Sequence, residues 1–262
     1  MDDSSLAYLL HQRPYRESSI IADCLSESRG RFSVVCKGVR GSGKRASELR
    51  TTLQPFALLD LQCYGRGQLK NLRSVQVRKP APRFAGRQWF AALYLNELLV
   101  KVGGRDEACA DLFHHYQKAV LGFQQQAIDD DSQTEIILRE FELALLQLTG
   151  FELDFTYAAG SSEPINNDSS YRFIAGEGFR RTSAVTTTGK PPQTECISGE
   201  LLRQIGQRQW QDPEVRQAAK RILREALLPH LGGGELQSRR LYRNARSDRS
   251  AQRRSTGVVD TK

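Results

Sequence analysis

Short apolar segments separated by turn residues occupy the first third of the chain. Between positions 31 and 37, apolar Phe32, Val34 and Cys36 alternate with other residues. This period of two is typical of a strand with one buried face, and it predicts a basic outer face carrying Arg31 and Lys37. Similar segments lie at 7–11, where the Arg13-Pro14 step predicts the end of the strand, and at 18–26, 56–64 and 69–78. Five strands with one long connection, 38–54, favour a small closed barrel of the OB type, with an SH3-like barrel as the alternative.

The apolar period changes to that of helices after Lys79-Pro80-Ala81-Pro82, where two prolines predict a domain boundary. Helices are predicted over 87–102, 106–126 and 132–150, and again over 198–207 and 213–230. Ser132 with Glu135 has the form of a capping box. Asp212 followed by Pro213 has the form of an N-cap and a first-turn proline.

These patterns together predict an α+β multidomain protein. Residues 1–79 form an N-terminal five-stranded OB-type β-barrel, and residues 80–150 form a central α-helical domain. Residues 151–197 form a small irregular β/loop region with a short hairpin at 171–181. Residues 198–240 form helices that pack on the helical domain. The basic, polar segment 241–262 has almost no large apolar side chains and is expected to be a largely disordered tail.

Charge is unevenly distributed along the 262 residues. Residues 1–79 contain fourteen Lys and Arg against seven Asp and Glu, a net charge of +7. Residues 80–240 carry a net charge of −3 and residues 241–262 a net charge of +4, which together give the +8 of the chain. Positive charge concentrated on a small β domain is typical of a protein that binds a phosphate backbone.

Several function classes are disfavoured by what the sequence lacks. No run of about 18 apolar residues exists to span a membrane. The acidic, polar first residues do not have the form of a signal peptide, so we expect a cytoplasmic protein with no membrane partner, associated with the nucleoid if its basic domain binds DNA. The five cysteines are scattered and predict reduced thiols rather than a zinc site or disulfides. The four histidines form no recognisable triad or metal-ligand spacing, so we expect no catalysis and no cofactor.

The segment from Gly38 to Arg45 fits the G-x-x-x-x-G-K part of a phosphate-binding P-loop, with Gly43 and Lys44 at its end. Arg45 replaces the Ser or Thr that would hold Mg²⁺, and no βαβ pattern surrounds the segment. The favoured interpretation is a flexible cationic loop that approaches phosphates. A degenerate P-loop nucleotide-binding protein stays as an unlikely alternative.

Cationic side chains of the first domain are interleaved with aromatic ones. Cations neutralise phosphates and release counterions, and aromatic rings can stack on unpaired bases. Phe32 and Phe56 are expected in the core of the barrel. The alternatives for the cations are a solvated face or a generic RNA- or DNA-binding OB module. The predicted DNA-binding residues are Arg31, Lys37, Arg40, Lys44, Arg45, Arg66, Lys70 and Arg73.

Arg139 lies among apolar residues of the third predicted helix, between Ile137 and Phe141. A solvated arginine on a helix face is the ordinary interpretation. In a broad apolar bundle it could instead mark a groove for a short acidic, hydrophobic peptide.

Eight short strings, in matching order from about Leu6 to Leu241, resemble the RecO family of bacterial recombination mediators. In the first domain they are Leu10-His11-Gln12-Arg13-Pro14-Tyr15-Arg16-Glu17-Ser18, Gly30-Arg31, Lys37-Gly38-Val39-Arg40, Leu53-Gln54-Pro55-Phe56 and Gly65-Arg66-Gly67. Further on they are Tyr94-Leu95-Asn96-Glu97-Leu98-Leu99, Arg139-Glu140-Phe141-Glu142-Leu143-Ala144-Leu145-Leu146 and Pro229-His230-Leu231-Gly232-Gly233.

The resemblance implies an N-terminal OB-fold, a central helical domain and a small third region. It also implies binding of single- and double-stranded DNA and annealing of complementary strands. The implied protein partners are the C-terminal tail of the single-strand binding protein SSB and the protein RecR, with which RecO helps RecA replace SSB on gapped DNA.

The resemblance also assigns a tail-binding groove and a metal state. The string around Arg139 suggests that Arg139 pairs a carboxylate of the SSB tail, and that Tyr94, Leu95, Leu98 or Leu145 contacts its apolar part. Many family members carry a four-cysteine zinc site after the third long helix. The corresponding segment here, 155–160, has no cysteine, so the sequence resembles the zinc-free branch and we expect no metal.

Overall fold

A closed five-stranded barrel forms the N-terminal part of the computed structural model, which describes residues 3–65, 67–127, 130–161, 163–182 and 196–245. The strand order around the barrel is β1-β2-β3-β5-β4, closed by antiparallel pairing of β1 with β4. β3 and β5 run parallel, and a helix, α1, lies in the long connection after β3. This topology confirms the predicted OB-type barrel. Its elements are β1 (Asp3–Tyr15), β2 (Ser19–Ser26), β3 (Gly30–Cys36), α1 (Lys44–Thr52), β4 (Leu58–Tyr64) and β5 (Leu69–Lys79).

The interior of the barrel is filled by alternate apolar side chains of its strands. Phe32, Val34 and Cys36 of β3 are each 1% exposed or less, which confirms the period-two prediction for that face. Phe56 is likewise buried. Burial in this apolar interior raises the pKa of the Cys36 thiol to about 12 and raises the pKa of Cys24. These thiols therefore act as small apolar side chains near neutral pH.

Strand β1 is longer than the sequence pattern predicts, because it continues through Arg13-Pro14 to Tyr15. Pro14 pairs with Ile20 of β2, whereas the pairing of β1 with β4 ends at Tyr8. Beyond Tyr8 the strand has a ladder partner on one side only. Such an edge tolerates a proline, which lacks the N–H that a second neighbour would need.

The outer face of β3 does not form the exposed basic surface that its alternation predicts. All seven residues of β3 are buried, and so are all eight of β2. The helix after the barrel that comprises Ala110–Gln125 contacts both strands. A two-residue period shows that a strand has two distinct faces, but a distant segment decides whether the second face is covered.

Three long helices follow the barrel, as the sequence predicts: α2 (Gly86–Val102), α3 (Ala110–Gln125) and α4 (Asp131–Leu148). The predicted capping box at the start of α4 does not form. Instead, a carboxylate oxygen of Asp130 accepts the backbone N–H of Gln133 at 3.0 Å and the hydroxyl of Ser132 at 2.7 Å. An ionised carboxylate is a stronger acceptor than a hydroxyl, which favours this cap.

A small sheet and two helices follow α4. The hairpin β6 (Ser170–Ile174) and β7 (Gly178–Thr182) confirms the predicted turn at 176–178, and β8 (Ile197–Ser198) pairs with β6. The helices are α5 (Gly199–Gly206) and α6 (Pro213–Leu227), followed by a 3-10 turn, Leu228–Leu231. The side chain of Asp212 accepts the N–H of Glu214, so the predicted N-cap of α6 is confirmed.

A further helix, α7, covers residues 237–245 and extends past the predicted domain end at 240. Its first turn is held by Glu97 of α2, whose carboxylate accepts the backbone N–H groups of Gln237 and Ser238, each at 2.9 Å, and the hydroxyl of Ser238 at 2.8 Å. Residues 246–262 of the predicted tail lie outside the described part of the chain.

The described residues divide into two compact units. The first comprises those within Met1–Thr134 and Gly234–Lys262, and the second comprises those within Glu135–Gly233. The first unit therefore holds the barrel with α2, α3 and α7. Across the described ranges, no helix is long and apolar enough to cross a membrane.

Candidate nucleic-acid interface

Exposed cations concentrate on the connection between β3 and α1. Lys37, Arg40, Lys44 and Arg45 are all exposed, whereas Val39 and Ala46 are buried and anchor the same segment. Lys44 and Arg45 stand in the first turn of α1, where backbone N–H groups have no partner within the helix. An anion at this position would meet both side-chain charge and backbone donors.

The connection is fastened to the turn between β1 and β2 by Arg40. The backbone N–H of Arg40 donates to the carbonyl of Ser18 at 2.9 Å, and its Nη1 donates to the carbonyl of Arg16 at 3.2 Å. Arg50 further shapes the connection by donating Nη1 to the carbonyls of Val39 and Gly41, at 2.8 and 3.0 Å. These bonds hold the loop backbone, so its exposed cations are arranged before any ligand binds.

The hairpin between β4 and β5 adds a second group of cations beside an exposed ring. The guanidinium of Arg73 lies 5.6 Å from the ring centroid of Tyr64, which is 36% exposed. Lys70 is half-buried, and its Nζ donates to the carbonyl of Gly65 at 3.1 Å. Arg66 lies outside the described residues.

The parallel pairing of β3 with β5 connects the two groups. Val35 is the register partner of Asn71, and both strands continue from there in the same direction. Lys37 lies two residues after Val35, and Arg73 lies two residues after Asn71. Both therefore lie beyond the same end of the ladder between β3 and β5. We call the exposed and half-exposed cations of these two segments the loop surface, which consists of Lys37, Arg40, Lys44, Arg45, Lys70 and Arg73.

Arg31 differs from the other predicted DNA-binding residues, because it is only 7% exposed. Its Nε donates to the carbonyl of Gly103 at 3.0 Å. Burial, and then the charge of Arg105, lower the pKa of the Arg31 guanidinium from its ordinary value. Arg31 therefore lies apart from the loop surface, under the segment that follows α2.

The G-x-x-x-x-G-K segment, 38–44, contributes Arg40 and Lys44 to the loop surface. It connects two strands of a closed barrel and enters the nine-residue helix α1. A nucleotide-hydrolysing P-loop instead joins a strand to a longer helix and supplies a hydroxyl for Mg²⁺. The geometry favours the cationic-loop interpretation, since the charges are exposed and the backbone is held by Arg50.

The residues assigned to the SSB tail are buried within their own units. Tyr94, Leu95 and Leu98 of α2 lie in the first unit and are 6%, 0% and 0% exposed. The ring of Tyr94 carries the guanidinium of Arg239 from α7, 5.3 Å from its centroid. Leu145 of α4 lies in the second unit and is fully buried.

Arg139, also in the second unit, forms a buried ion pair with Glu142. Its Nη2 donates to Oε1 of Glu142 at 3.0 Å, and its Nε lies 2.8 Å from Oε2. The two side chains are 5% and 2% exposed. A solvated arginine is thus excluded, and the guanidinium already has a carboxylate partner one helical turn away.

Sequence reasoning missed a charged network on the outer face of β1, β2 and β3. Asp23 is 1% exposed and accepts Nη1 of Arg13 at 2.7 Å and the hydroxyl of Ser33 at 2.6 Å. Burial alone would raise the pKa of this carboxyl, but hydrogen bonds from His11 and Ser33 and the charge of Arg13 outweigh it and leave the pKa lowered. A single outward aspartate in a strand carries no signal of such partners.

No group of three or more His, Cys, Asp or Glu side chains within the described ranges is placed to hold a metal ion. In that same part of the chain, Cys24, Cys36 and Cys63 are buried in the barrel, and Cys109 and Cys196 are more accessible free thiols.

Comparison with known proteins covers most of the chain. Residues 1–81 match the family described as "Recombination protein O N terminal", and residues 83–240 match "Recombination protein O C terminal". The chain is 36% identical over 243 residues to "DNA repair protein RecO" of Yersinia pestis (strain Pestoides F), which covers 93% of this chain and 95% of that protein. It is 37% identical over 243 residues to the protein of the same name from Serratia proteamaculans (strain 568), covering 93% and 94%.

Proposed function

The chain belongs to the RecO family of recombination proteins, and from that premise we propose that it binds single- and double-stranded DNA and anneals complementary strands coated with SSB. With RecR, it promotes the loading of RecA on gapped DNA. The family itself carries a role in DNA repair and recombination. The finer steps are the proposal, and the loop surface is the observation that supports them.

The position of the loop surface fits this barrel type. OB-folds bind oligonucleotides on the face of strands 2 and 3 and on the neighbouring loops. Here α3 contacts β2 and β3 and the strands are fully buried, so that face is closed to a ligand. The loops remain, and they carry the exposed cations Lys37, Lys44 and Arg45.

Annealing needs no active site. Two single strands repel each other because both are polyanions, and a cationic surface that neutralises phosphates lowers that repulsion. Each phosphate contact releases counterions, so the affinity falls as salt rises. The exposed ring of Tyr64 beside Arg73 offers a stacking platform for an unpaired base.

The decisive experiment measures annealing of two complementary oligonucleotides coated with SSB, across a salt series and with SSB that retains or lacks its C-terminal tail. We expect annealing that needs no ATP, slows as salt rises and depends on the tail. Annealing that does not depend on the tail would remove the SSB-tail assignment and keep DNA binding. No annealing at any salt would contradict the proposal, and equal affinity for RNA with indifference to SSB would favour a generic nucleic-acid module.

The SSB-tail site needs a substitution that respects the ion pair of Arg139. Arg139→Glu would place two carboxylates together in a buried site and would unfold the region for reasons unrelated to binding. The double variant Arg139→Gln, Glu142→Gln removes both charges at once. It keeps the side-chain volume at position 142 and shortens the side chain at position 139. If Arg139 pairs the tail carboxylate, this variant binds DNA normally and loses binding to an SSB-tail peptide; retained peptide binding would contradict the assignment.

A further inference from the structure

The segment after α2 lies directly against the start of β3. Residues Arg31 and Arg105 form an isolated parallel bridge, and the backbone N–H of Asp106 donates to the carbonyl of Arg31 at 2.8 Å. The approach is close enough that a Cβ at Gly30 would lie 1.8 Å from the carbonyl oxygen of Glu107. Asp106 itself has a positive φ of 52°, a conformation that aspartate adopts more readily than most residues. The segment is therefore firmly placed, and it brings two arginines side by side.

Neither arginine of this pair has a carboxylate partner. Nε of Arg31 is bound to the carbonyl of Gly103, while its Nη1 is buried and has no hydrogen-bond partner within the described residues. Arg105 is exposed, and its side chain makes no hydrogen bond or ion pair there. Buried donors are normally hydrogen-bonded, so the lack of an acceptor for Nη1 of Arg31 is unusual.

Two carboxylates near Arg31 are already bound by other arginines. Asp23 accepts Arg13 at 2.7 Å, and Asp106 accepts Nη2 of Arg29 at 3.1 Å. The Glu107 carboxylate also lies in this segment, since a Cβ at Gly104 would lie 2.8 Å from its Oε2. Four guanidinium groups thus lie among three carboxylates. Burial, and then the charge of Arg105, lower the pKa of Arg31, and the charges of Asp23 and Asp106 only partly oppose this shift. An anion between Arg31 and Arg105 would remove the repulsion between them and supply an acceptor.

We propose that Arg31 and Arg105 form a second phosphate-binding site, which holds the second DNA strand during annealing. The site stands on the arginine pair, and its role in annealing rests on the proposed function. Phosphate suits it better than a carboxylate of a protein, because the segment joins a barrel whose net charge already attracts nucleic acid. The planar guanidinium of the exposed Arg105 can donate two parallel bonds to phosphate oxygens.

The arginine pair and the loop surface lie at opposite ends of β3. Arg31 and Lys37 lie at opposite ends of the strand, six residues apart, which corresponds to about 20 Å at the rise of an extended chain. Two phosphate sites at this separation suit the two backbones of a forming duplex. One strand would be held by the loop surface and the other by the arginine pair.

The test compares three single variants of the full chain, each replacing a cation by glutamine. Arg105→Gln removes the exposed member of the pair, Arg83→Gln is a matched control at another exposed arginine, and Lys37→Gln weakens the loop surface. Affinity for a twelve-nucleotide oligo-dT is measured by fluorescence anisotropy. Annealing is measured by energy transfer between two labelled complementary oligonucleotides.

We expect Arg105→Gln to slow annealing about tenfold while the oligo-dT affinity changes less than twofold. We expect Arg83→Gln to match the wild type and Lys37→Gln to lower the oligo-dT affinity. The second site is overturned if Arg105→Gln anneals as fast as Arg83→Gln. It is also overturned if Arg105→Gln loses annealing rate and oligo-dT affinity to the same extent. Unchanged affinity and annealing in Lys37→Gln instead argue against the proposed function, so the two failures are distinguishable.

A chemical readout checks occupancy directly. Phenylglyoxal modifies accessible arginines, and the modified positions are located by mass spectrometry. With both complementary strands bound, we expect Arg105 to be protected and Arg83 to stay reactive. Reactivity of Arg105 that is unchanged by the second strand overturns the proposal.

Discussion

Two buried charged side chains of this protein, Asp23 and Arg139, are held by short contacts to opposite charges. Asp23 is bound by Arg13 and Ser33 on the outer face of the barrel, and Arg139 is bound by Glu142 in α4. Removing an ion from water is costly, and such a group persists only when partners satisfy it. The first two predictions therefore concern the loss of one partner at a time.

Asp23→Asn is expected to lower the free energy of unfolding of the barrel at pH 7 by about 2 kcal/mol, because bonds to a charged acceptor are stronger than bonds to an amide. The pKa of Asp23 in the folded protein is lowered, so its stabilising contribution is present above the ordinary carboxyl pKa and is lost as pH falls through the lowered value. Urea unfolding at pH 7, 5 and 3 measures this. The difference from wild type should shrink only below about pH 4, whereas the exposed control Glu17→Gln should show little difference at any pH.

Glu142→Leu is expected to destabilise the second unit by about 3–5 kcal/mol, because it leaves the guanidinium of Arg139 buried without its carboxylate. The double variant Arg139→Met, Glu142→Leu should recover most of that loss, since no buried charge remains. Urea unfolding of both single variants and the double variant gives the coupling between the two positions. Additive effects would contradict a buried ion pair.

At the scale of elements, the helix ends show how local signals are used. Asp212 caps α6 as the sequence predicts, and its side chain accepts the backbone N–H two residues later. Ser198 caps α5 in the same way, with its side chain accepting the N–H three residues later. The N-terminus of α7 is different, because its cap is supplied by Glu97, 140 residues earlier in the chain. An aromatic contact also holds α7 against α2, because Tyr242 of α7 packs edge-on against Phe90 of α2 with ring centroids 5.5 Å apart.

Glu97→Ala is expected to loosen α7, because the N–H groups of Gln237 and Ser238 lose their acceptor. An N-cap contributes about 1 kcal/mol or more, which corresponds to roughly five- to tenfold faster opening. Hydrogen exchange of residues 237–245 measures it, with Glu48→Ala on the exposed side of α1 as the control. Exchange of α7 that is the same in both variants would show that the aromatic contacts alone hold the helix.

At the scale of the whole molecule, the positive charge of the first 79 residues is not spread evenly over the barrel. The outer faces of β2 and β3 are buried, whereas exposed cations lie on the connection after β3, at the start of α1 and along β1 and β5. If DNA binding follows net charge alone, any exposed cation should matter equally. If it follows the loop surface, position should matter.

The triple variant Lys37→Gln, Lys44→Gln, Arg45→Gln is expected to reduce the slope of log K against log salt for a single strand by about 2, at roughly 0.7 for each lost phosphate contact. The matched control replaces three exposed arginines of the second unit, Arg203, Arg208 and Arg224, by glutamine. It changes the net charge equally and should keep the wild-type slope. Equal reductions would show that net charge, rather than the loop surface, governs binding. Anisotropy titrations between 50 and 200 mM salt measure both.

The five strands, the long helices and the family resemblance could all be predicted from the sequence. Each of these features is encoded by residues close together in the sequence. Phe32, Val34 and Cys36 alternate within one strand, and Asp212 and Pro213 start one helix. The loop surface was also predictable in part, because glycines and cations between 37 and 45 are incompatible with a buried strand. The prediction of Arg31 as a DNA-binding residue assumed that its side chain is exposed, whereas it is buried.

What the sequence by itself determined is therefore the barrel, the helices and the segregation of charge, since these follow from periodicity and composition within short stretches. Tertiary structure alone decided which faces are covered. Arg31 is buried by a bond to Gly103, 72 residues away, and α7 is capped by Glu97, 140 residues away. Such contacts leave no local pattern, because the free energy of covering a face depends on a segment brought there by the rest of the fold.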